Sequence, residues 1–305
     1  MKTLVKVLLI ATALLLSANS AAQSDIDDIA AISDVTEELK IAAIEALMFA
    51  PEDKALSIVN KVLAGNHSDE VKESALFILS QLDAPEALEI LVRFAGEGSG
   101  EMRLEAIRMI GIGGDGVALA GLAPLYESGN SDVREAVLEA LMIAGDSKAV
   151  YEIALHAEGD DFQDAVDMLA VMGAHEELHE LRLHTGASEA LIEAYAISGD
   201  FEALRDLALD NSDLELQTHA IEAMGIVGGE RVEATLVEIY RGASSEDIRE
   251  AALDGMLISG SDKAVLELYR SSSDPAEKKE LLEYLVIMGS DDVWSVIDST
   301  LDGNR

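Results

Sequence analysis

Apolar residues recur along this chain at a helical spacing, inside a unit of about thirty residues. Leu138 and Leu141 mark two positions that are apolar or aromatic in all nine copies of the unit. The first column holds Ile44, Leu76, Ile107, Leu138, Val166, Ile192, Ile221, Leu253 and Leu282, and the second holds Leu47, Leu79, Ile110, Leu141, Leu169, Tyr195, Met224, Met256 and Leu285. A step of three residues puts both side chains on one face of a helix, so the pattern predicts nine helices.

Each copy also contains a second, shorter helical pattern, as at 149–155 and 264–269. It follows a turn residue: Pro51, Asp83, Gly114, Gly145, Gly173, Gly199, Gly228, Gly260 or Gly289. Glycine is typical of a helix end. Each unit is therefore predicted to be a helical hairpin, whose first helix carries the short pattern and whose second helix carries the two apolar columns. The glycine-rich stretches 111–114 and 225–229 are predicted to be turns.

The residue before the first apolar column is mostly small. This position holds Ala43, Ala75, Ala106, Val137, Ala165, Leu191, Ala220, Ala252 and Leu281, and it is predicted to be the seam between units. A lone hairpin cannot bury its own apolar stripe, so the hairpins must stack. We predict an all-α fold, an α-solenoid (superhelix) of about nine stacked hairpins over residues 36–305. The register stays open between Phe162 and Gly199, where the spacing shrinks.

The composition favours closely packed helices. Hydrophobic residues make up 49% of the chain but aromatic residues only 4%, whereas a β-sandwich needs more β-branched and aromatic residues. The chain has no cysteine, which excludes disulfides, thiolate chemistry and cysteine-based zinc sites.

Residues 1–22 are typical of a secretory signal peptide. Lysines precede an apolar run at 7–16, and small residues at 20–22 form a cleavage site. The run is shorter than the roughly 20 residues that a membrane span needs. We predict a periplasmic or secreted protein with no membrane insertion after signal cleavage. Residues 23–35 are predicted to be an N-terminal tail or cap.

The chain is strongly acidic. Asp and Glu number 59 against 21 Lys and Arg, which gives a formal net charge of −38 at pH 7. Such a field repels nucleic acid and anionic lipid, and it attracts basic proteins, peptides or divalent cations. The alternative explanation is solubility or adaptation to a salty environment, where salt screens the repulsion.

One acidic column stands directly after the first apolar column. Seven of its nine members are acids, namely Glu45, Glu139, Asp167, Glu193, Glu222, Asp254 and Glu283. One step along a helix turns a side chain by about 100°, so this column points away from the core. We predict that it binds a protein or peptide with a basic surface, along the concave side of the solenoid. A solvated helix flank without a ligand is the alternative.

Basic residues occupy one position near the start of six second helices: Lys40, Lys72, Arg103, Arg134, Arg249 and Lys278. We predict that these bases bond to neighbouring acids or turn carbonyls and so tie unit to unit. Binding of a partner by the bases is the alternative.

The unit, with its acid and base at the start, apolar seam and closing glycine, resembles the HEAT-like repeat family, particularly the short bacterial repeats of the phycobilisome-lyase type. The resemblance covers about residues 30–300. It implies the stacked-hairpin fold but no single function, because members serve as scaffolds, adaptors, chromophore lyases and a metal-dependent hydroxylase. The hydroxylase carries His-Glu pairs on several repeats, whereas here the pairs at 175–176 and 179–180 share one helix. The resemblance therefore does not imply an iron site.

Residues 175–179 match the H-E-x-x-H motif of zinc peptidases. In that motif the two histidines, here His175 and His179, hold the metal and the glutamate activates water. A catalytic zinc needs a third protein ligand, and the extended motif asks for histidine where Thr185 stands. We predict no catalytic residue, no cofactor and no metal site.

The sequence thus predicts an exported scaffold or adaptor that binds another protein and is not an enzyme. One alternative is a metal-dependent hydrolase or hydroxylase that uses His175 and His179. The other alternative is an acidic structural spacer. The oligomeric state does not follow from these patterns.

Overall fold

A computed structural model describes residues 36–114 and 116–301. The chain divides into two compact units, Met1–Gly113 and Gly114–Arg305. The predicted signal peptide (1–22) and the predicted tail or cap (23–35) lie outside the described residues. Among the helices that are described, none combines the length and the apolar character that a membrane crossing requires.

The first unit is built from helical hairpins. Residues 36–45 form α1, which continues into a short 3-10 turn at Ala46–Phe49. The helices that follow are α2 (Glu52–Ala64), α3 (Asp69–Gln81), α4 (Pro85–Glu97) and α5 (Glu101–Gly113). The second helices α3 and α5 pack against each other, and α4 packs against both. Within this unit the hairpins therefore stack through their second helices.

The second unit continues the same arrangement over more copies. Its helices are α6 (Gly116–Ala120), α7 (Ala123–Ser128), α8 (Ser131–Ala144), α9 (Ser147–His156), α10 (Asp160–Val171), α11 (His175–Thr185), α12 (Glu189–Ser198), α13 (Phe201–Ala208), α14 (Leu214–Val227), α15 (Glu230–Gly242), α16 (Glu246–Ser259), α17 (Asp262–Ser271), α18 (Pro275–Met288) and α19 (Val293–Leu301). The second helices α8, α10, α12, α14, α16 and α18 each contact the next one in this order. Residues 36–114 and 116–301 contain no β-strand, and the predicted all-α fold of stacked hairpins is confirmed.

The two apolar columns form the core of both units. All nine members of the second column are buried, and so are all members of the first column except the half-buried Leu282. The seam residues are buried as well, apart from the exposed Ala43 in the first copy. Val166 and Ile192 are fully buried, so the register holds between Phe162 and Gly199. Each Val, Leu or Ile side chain buried in this way contributes about 1.5–3 kcal/mol.

Glycines end several second helices as predicted. Gly145 and Gly260 adopt the left-handed conformation, with φ of 71° and 68°, and their N–H groups bond back to carbonyls of the helix that they close. The prediction of turns at 111–114 and 225–229 is wrong in part. Gly113 and Gly225 lie in the helices α5 and α14. A neighbouring second helix approaches each of them so closely that a larger residue does not fit, and this contact, not a turn, accounts for the glycine.

Candidate functional site

The predicted acidic column lies on the second helices, and none of its seven acids is buried. Glu45, Glu193 and Glu283 are exposed, while Glu139, Asp167, Glu222 and Asp254 are half-buried. Glu45 belongs to the first unit. The other six acids occupy equivalent positions on the consecutive helices α8, α10, α12, α14, α16 and α18, and we call them the acidic row: Glu139, Asp167, Glu193, Glu222, Asp254 and Glu283.

Neighbouring members of the acidic row are close enough to interact. Burial raises the pKa of Glu222, and the negative charge of Asp254 on the next second helix raises it further. Tyr284 of α18 donates a hydrogen bond of 2.7 Å to Oδ1 of Asp254. The carboxylates of α14 and α16 therefore share one electrostatic environment, and a side chain of α18 reaches into it.

An exposed aliphatic side chain follows each acid of the row by four positions. We call this set the aliphatic row: Ile143, Val171, Ile197, Ile226, Ile258 and Ile287. Its members are between 49% and 67% exposed. Residues four apart lie one above the other on a helix, so the two rows run side by side on the same face of six second helices. The sequence signal for this row was a third apolar column, two positions after the second core column.

In the first unit, similar chemistry surrounds a groove on α1, α3 and α5. Its walls include the exposed apolar side chains Met48, Phe49 and Phe77 and the acids Glu73 and Glu105. Burial raises the pKa of Glu73, and the charge of Glu105 adds to that increase. The groove thus combines exposed apolar side chains with the Glu73 carboxyl, whose pKa is raised.

These crowded carboxylates predict that the protein becomes less stable as the pH rises. Glu73, Glu222 and Glu280 all have a pKa above the ordinary value of 4.5, chiefly because of burial. The folded chain therefore binds these protons more tightly than the unfolded chain, and this stabilisation is lost as the pH rises through the raised pKa values. We expect a higher melting temperature at pH 5.5 than at pH 8, measured by circular dichroism at low salt.

The variant Glu222→Gln is the control for this pH dependence. It removes one of the three carboxyls and should narrow the difference between the two melting temperatures. Asp210 acts in the opposite sense, because hydrogen bonds from Ser212 lower its pKa. The stability that Asp210 contributes is lost only as the pH falls below the ordinary carboxyl range, so it does not change between the two pH values compared. A melting temperature that is equal or lower at pH 5.5 would contradict the prediction.

Two of the six bases near the starts of the second helices, Arg103 and Arg134, bond to neighbouring parts of the fold. Arg103 donates from Nε to the carbonyl of Ala95 at 2.8 Å, and Arg134 donates from Nε to the carbonyl of Tyr126 at 3.3 Å. Arg134 also reaches Asp161 of the next second helix, with 2.5 Å between Nη1 and Oδ2. The prediction that these bases bond to carbonyls and neighbouring acids is confirmed at these two positions.

The H-E-x-x-H motif opens helix α11. His175 and His179 are both exposed, and Nδ1 of His175 lies 3.3 Å from Oδ2 of Asp200. Asp200 in turn caps α13, where it accepts a hydrogen bond from the backbone N–H of Ala203. In the described parts of the chain, no group of three or more His, Asp or Glu side chains is placed to hold a metal ion. The structure therefore places one histidine of the motif, His175, beside a capping aspartate.

Comparisons with known proteins show a likeness in solved structures only at low sequence identity. No family model matches the chain, and no curated protein matches it. Among solved structures, the chain is similar to a chain in the complex of CpcE and CpcF of phycocyanin lyase from Nostoc sp.. The two are 18% identical with a TM-score of 0.33, and the match covers 76% of this chain and 94% of that chain.

This match bears on two predictions. The predicted resemblance to repeats of the lyase type is confirmed, as a resemblance in fold. The prediction that the chain is not an enzyme is contradicted, because the matched chain belongs to a lyase and a lyase is an enzyme. The interpretation as a non-catalytic protein is therefore not kept. At this identity the likeness assigns no reaction to the present chain.

Proposed function

We propose that the chain binds another protein as a scaffold or adaptor, and that the acidic row of the second unit receives a basic segment of that protein. The supporting observation is the placement of six acids at equivalent, solvent-accessible positions on consecutive second helices. We propose further that this binding takes place in the periplasm or outside the cell, a proposal that rests on the signal peptide predicted at residues 1–22.

The bases near the row leave its negative field largely in place. Arg134 is turned toward the carbonyl of Tyr126 and toward Asp161, and the ion pair of Lys279 with Glu283, 3.6 Å long, is exposed to solvent. An exposed pair contributes little, at most about 1 kcal/mol. A basic segment along the row would gain many weak contacts, which speed association and weaken as salt is added.

Charge reversal along the row tests this proposal. The variant Glu193→Lys/Glu222→Lys/Glu283→Lys should bind a fluorescent alanine-lysine peptide at least about tenfold more weakly than the unchanged protein, because three attractive contacts become repulsive. Fluorescence anisotropy at low salt gives the affinity, and the unchanged protein should also lose affinity as salt rises.

A matched control separates the row from the total charge. The variant Glu180→Lys/Glu238→Lys/Glu267→Lys makes the same charge change at exposed positions on the first helices α11, α15 and α17. It should retain most of the affinity. Equal losses in both variants would contradict the proposal and favour the acidic spacer.

A further inference from the structure

The aliphatic row of the second unit lies opposite the core, so the core does not account for it. Ile143 stands two residues after the buried Leu141, which turns its side chain by about 200° around the helix. Ile226 and Ile258 stand in the same relation to buried residues of α14 and α16. Single exposed apolar side chains are ordinary on a protein surface, but a contiguous set marks a surface for interaction.

Ile258, a member of the row on α16, packs closely against the preceding second helix. A Cβ atom placed on Gly225 of α14 would lie 2.9 Å from Cβ of Ile258 on α16. Ile258 therefore lies against α14 at Gly225, the residue that precedes Ile226 in the sequence. Packed helices are about 8–10 Å apart, so the row offers an apolar contact at roughly that interval along the second unit.

The negative charges of the adjacent acidic row restrict the kind of partner that can bind to the aliphatic row. The two rows are four residues apart along each helix, a rise of about 6 Å. The preceding turn of the same face adds Glu135, Glu189 and Glu250, whereas Lys279 is the base at these positions. An anionic lipid surface would be repelled by so many carboxylates. A protein segment with both apolar and basic side chains satisfies both rows.

We propose that the partner segment is a basic amphipathic helix, whose apolar side chains dock on the aliphatic row while its lysines or arginines face the acidic row. This rests on the proposed function and names the chemistry of the partner. Seven residues of helix advance about 10.5 Å, close to the roughly 8–10 Å between packed helices. The docking helix therefore lies across the second helices and repeats its apolar residues every seventh position.

Two synthetic peptides test this proposal with the full chain. One is an amphipathic leucine-lysine helix with leucines at heptad spacing, and the other has alanine at every leucine and the same number of lysines. The unchanged protein should bind the leucine peptide at least about tenfold more tightly. The variant Ile197→Ser/Ile226→Ser/Ile258→Ser keeps the charge and should lose this preference, with its fold checked by circular dichroism.

The matched control is Leu183→Ser/Leu209→Ser/Leu214→Ser, which removes three aliphatic side chains that are similarly exposed outside the row. It should keep the preference for the leucine peptide. Equal affinity of the unchanged protein for both peptides, or equal losses in the two serine variants, would overturn the amphipathic partner. The alanine-lysine peptide still reports on the acidic row in that case, so the proposed function stands or fails separately.

Cosedimentation with vesicles of phosphatidylcholine and phosphatidylglycerol tests whether the aliphatic row binds lipid instead of a protein segment. Cosedimentation of the unchanged protein that is lost in the Ile197→Ser/Ile226→Ser/Ile258→Ser variant would assign the aliphatic row to a lipid surface, and would overturn the proposal. Absence of binding to either peptide would overturn both this proposal and the proposed function.

Discussion

Replacing Gly225 by alanine is expected to destabilise the second unit by about 1–3 kcal/mol, the usual cost of overpacking. A Cβ atom at this position would lie 2.4 Å from the carbonyl oxygen of Gly255 on α16 and 3.0 Å from its Cα. Both contacts are to backbone, so the two helices must move apart. The gain in helix propensity from glycine to alanine, at most about 1 kcal/mol, opposes this cost but is smaller.

Chemical unfolding of the full chain, followed by circular dichroism, measures this effect. Gly242→Ala is the matched control, since Gly242 also lies in a helix of the second unit but has no atom within 4 Å of its added Cβ. The control should be neutral or up to about 1 kcal/mol more stable. If Gly225→Ala behaves like Gly242→Ala, the close approach of α14 and α16 is not as described.

The core could be predicted from the sequence because each of its columns repeats nine times. A residue such as Leu141 is ambiguous alone, but its eight equivalents are also apolar or aromatic, and all of them are buried. At Val166 and Ile192, where the spacing is irregular and the sequence leaves the register open, the burial of both side chains decides it. Comparison of the nine copies thus identifies buried positions that the sequence of a single helix leaves ambiguous.

The aliphatic row shows where this reasoning stops. Ile143 and its equivalents form an apolar column that the sequence displays as openly as the core columns. A pattern of apolar residues does not distinguish a buried position from an exposed one near a helix end, because that depends on which neighbour covers it. The exposed fractions of the six side chains supply this information, and they show that the column lies on the surface.

Gln217 shows that residues of different types can play the same structural role, which the sequence pattern alone does not reveal. It occupies the position of the basic column in a copy that lacks a base. Its Nε2 donates to the carbonyl of Ala208 at 2.9 Å, as Nε of Arg103 does to the carbonyl of Ala95. The feature that these copies share is a side-chain hydrogen-bond donor that bonds to a carbonyl near the end of the preceding first helix. Counting charges along the column does not reveal it.

Tyr195 is the position where a single truncation is expected to cost most, about 3–5 kcal/mol for Tyr195→Ala. It is the largest fully buried side chain of the chain's described residues, on α12. Its hydroxyl donates to the carbonyl of Leu178 at 3.1 Å, and the guanidinium of Arg182 lies 5.8 Å from the ring centroid. Alanine would remove the ring from between α11 and α12 and leave a cavity.

Tyr195→Phe separates the ring from the hydroxyl. It keeps the packing and removes one buried hydrogen bond, so it should cost only about 1 kcal/mol. Burial raises the pKa of Tyr195 from the ordinary value of 10.0 to about 12. The difference in stability between Phe and Tyr should therefore stay constant from about pH 6 to pH 8, and it should shrink as the pH approaches 10, where the unfolded tyrosine ionises and the folded one does not. Urea unfolding at several pH values measures both variants. A loss for Tyr195→Phe as large as that for Tyr195→Ala would mean that the hydrogen bond, and not the filled volume, stabilises this part of the second unit.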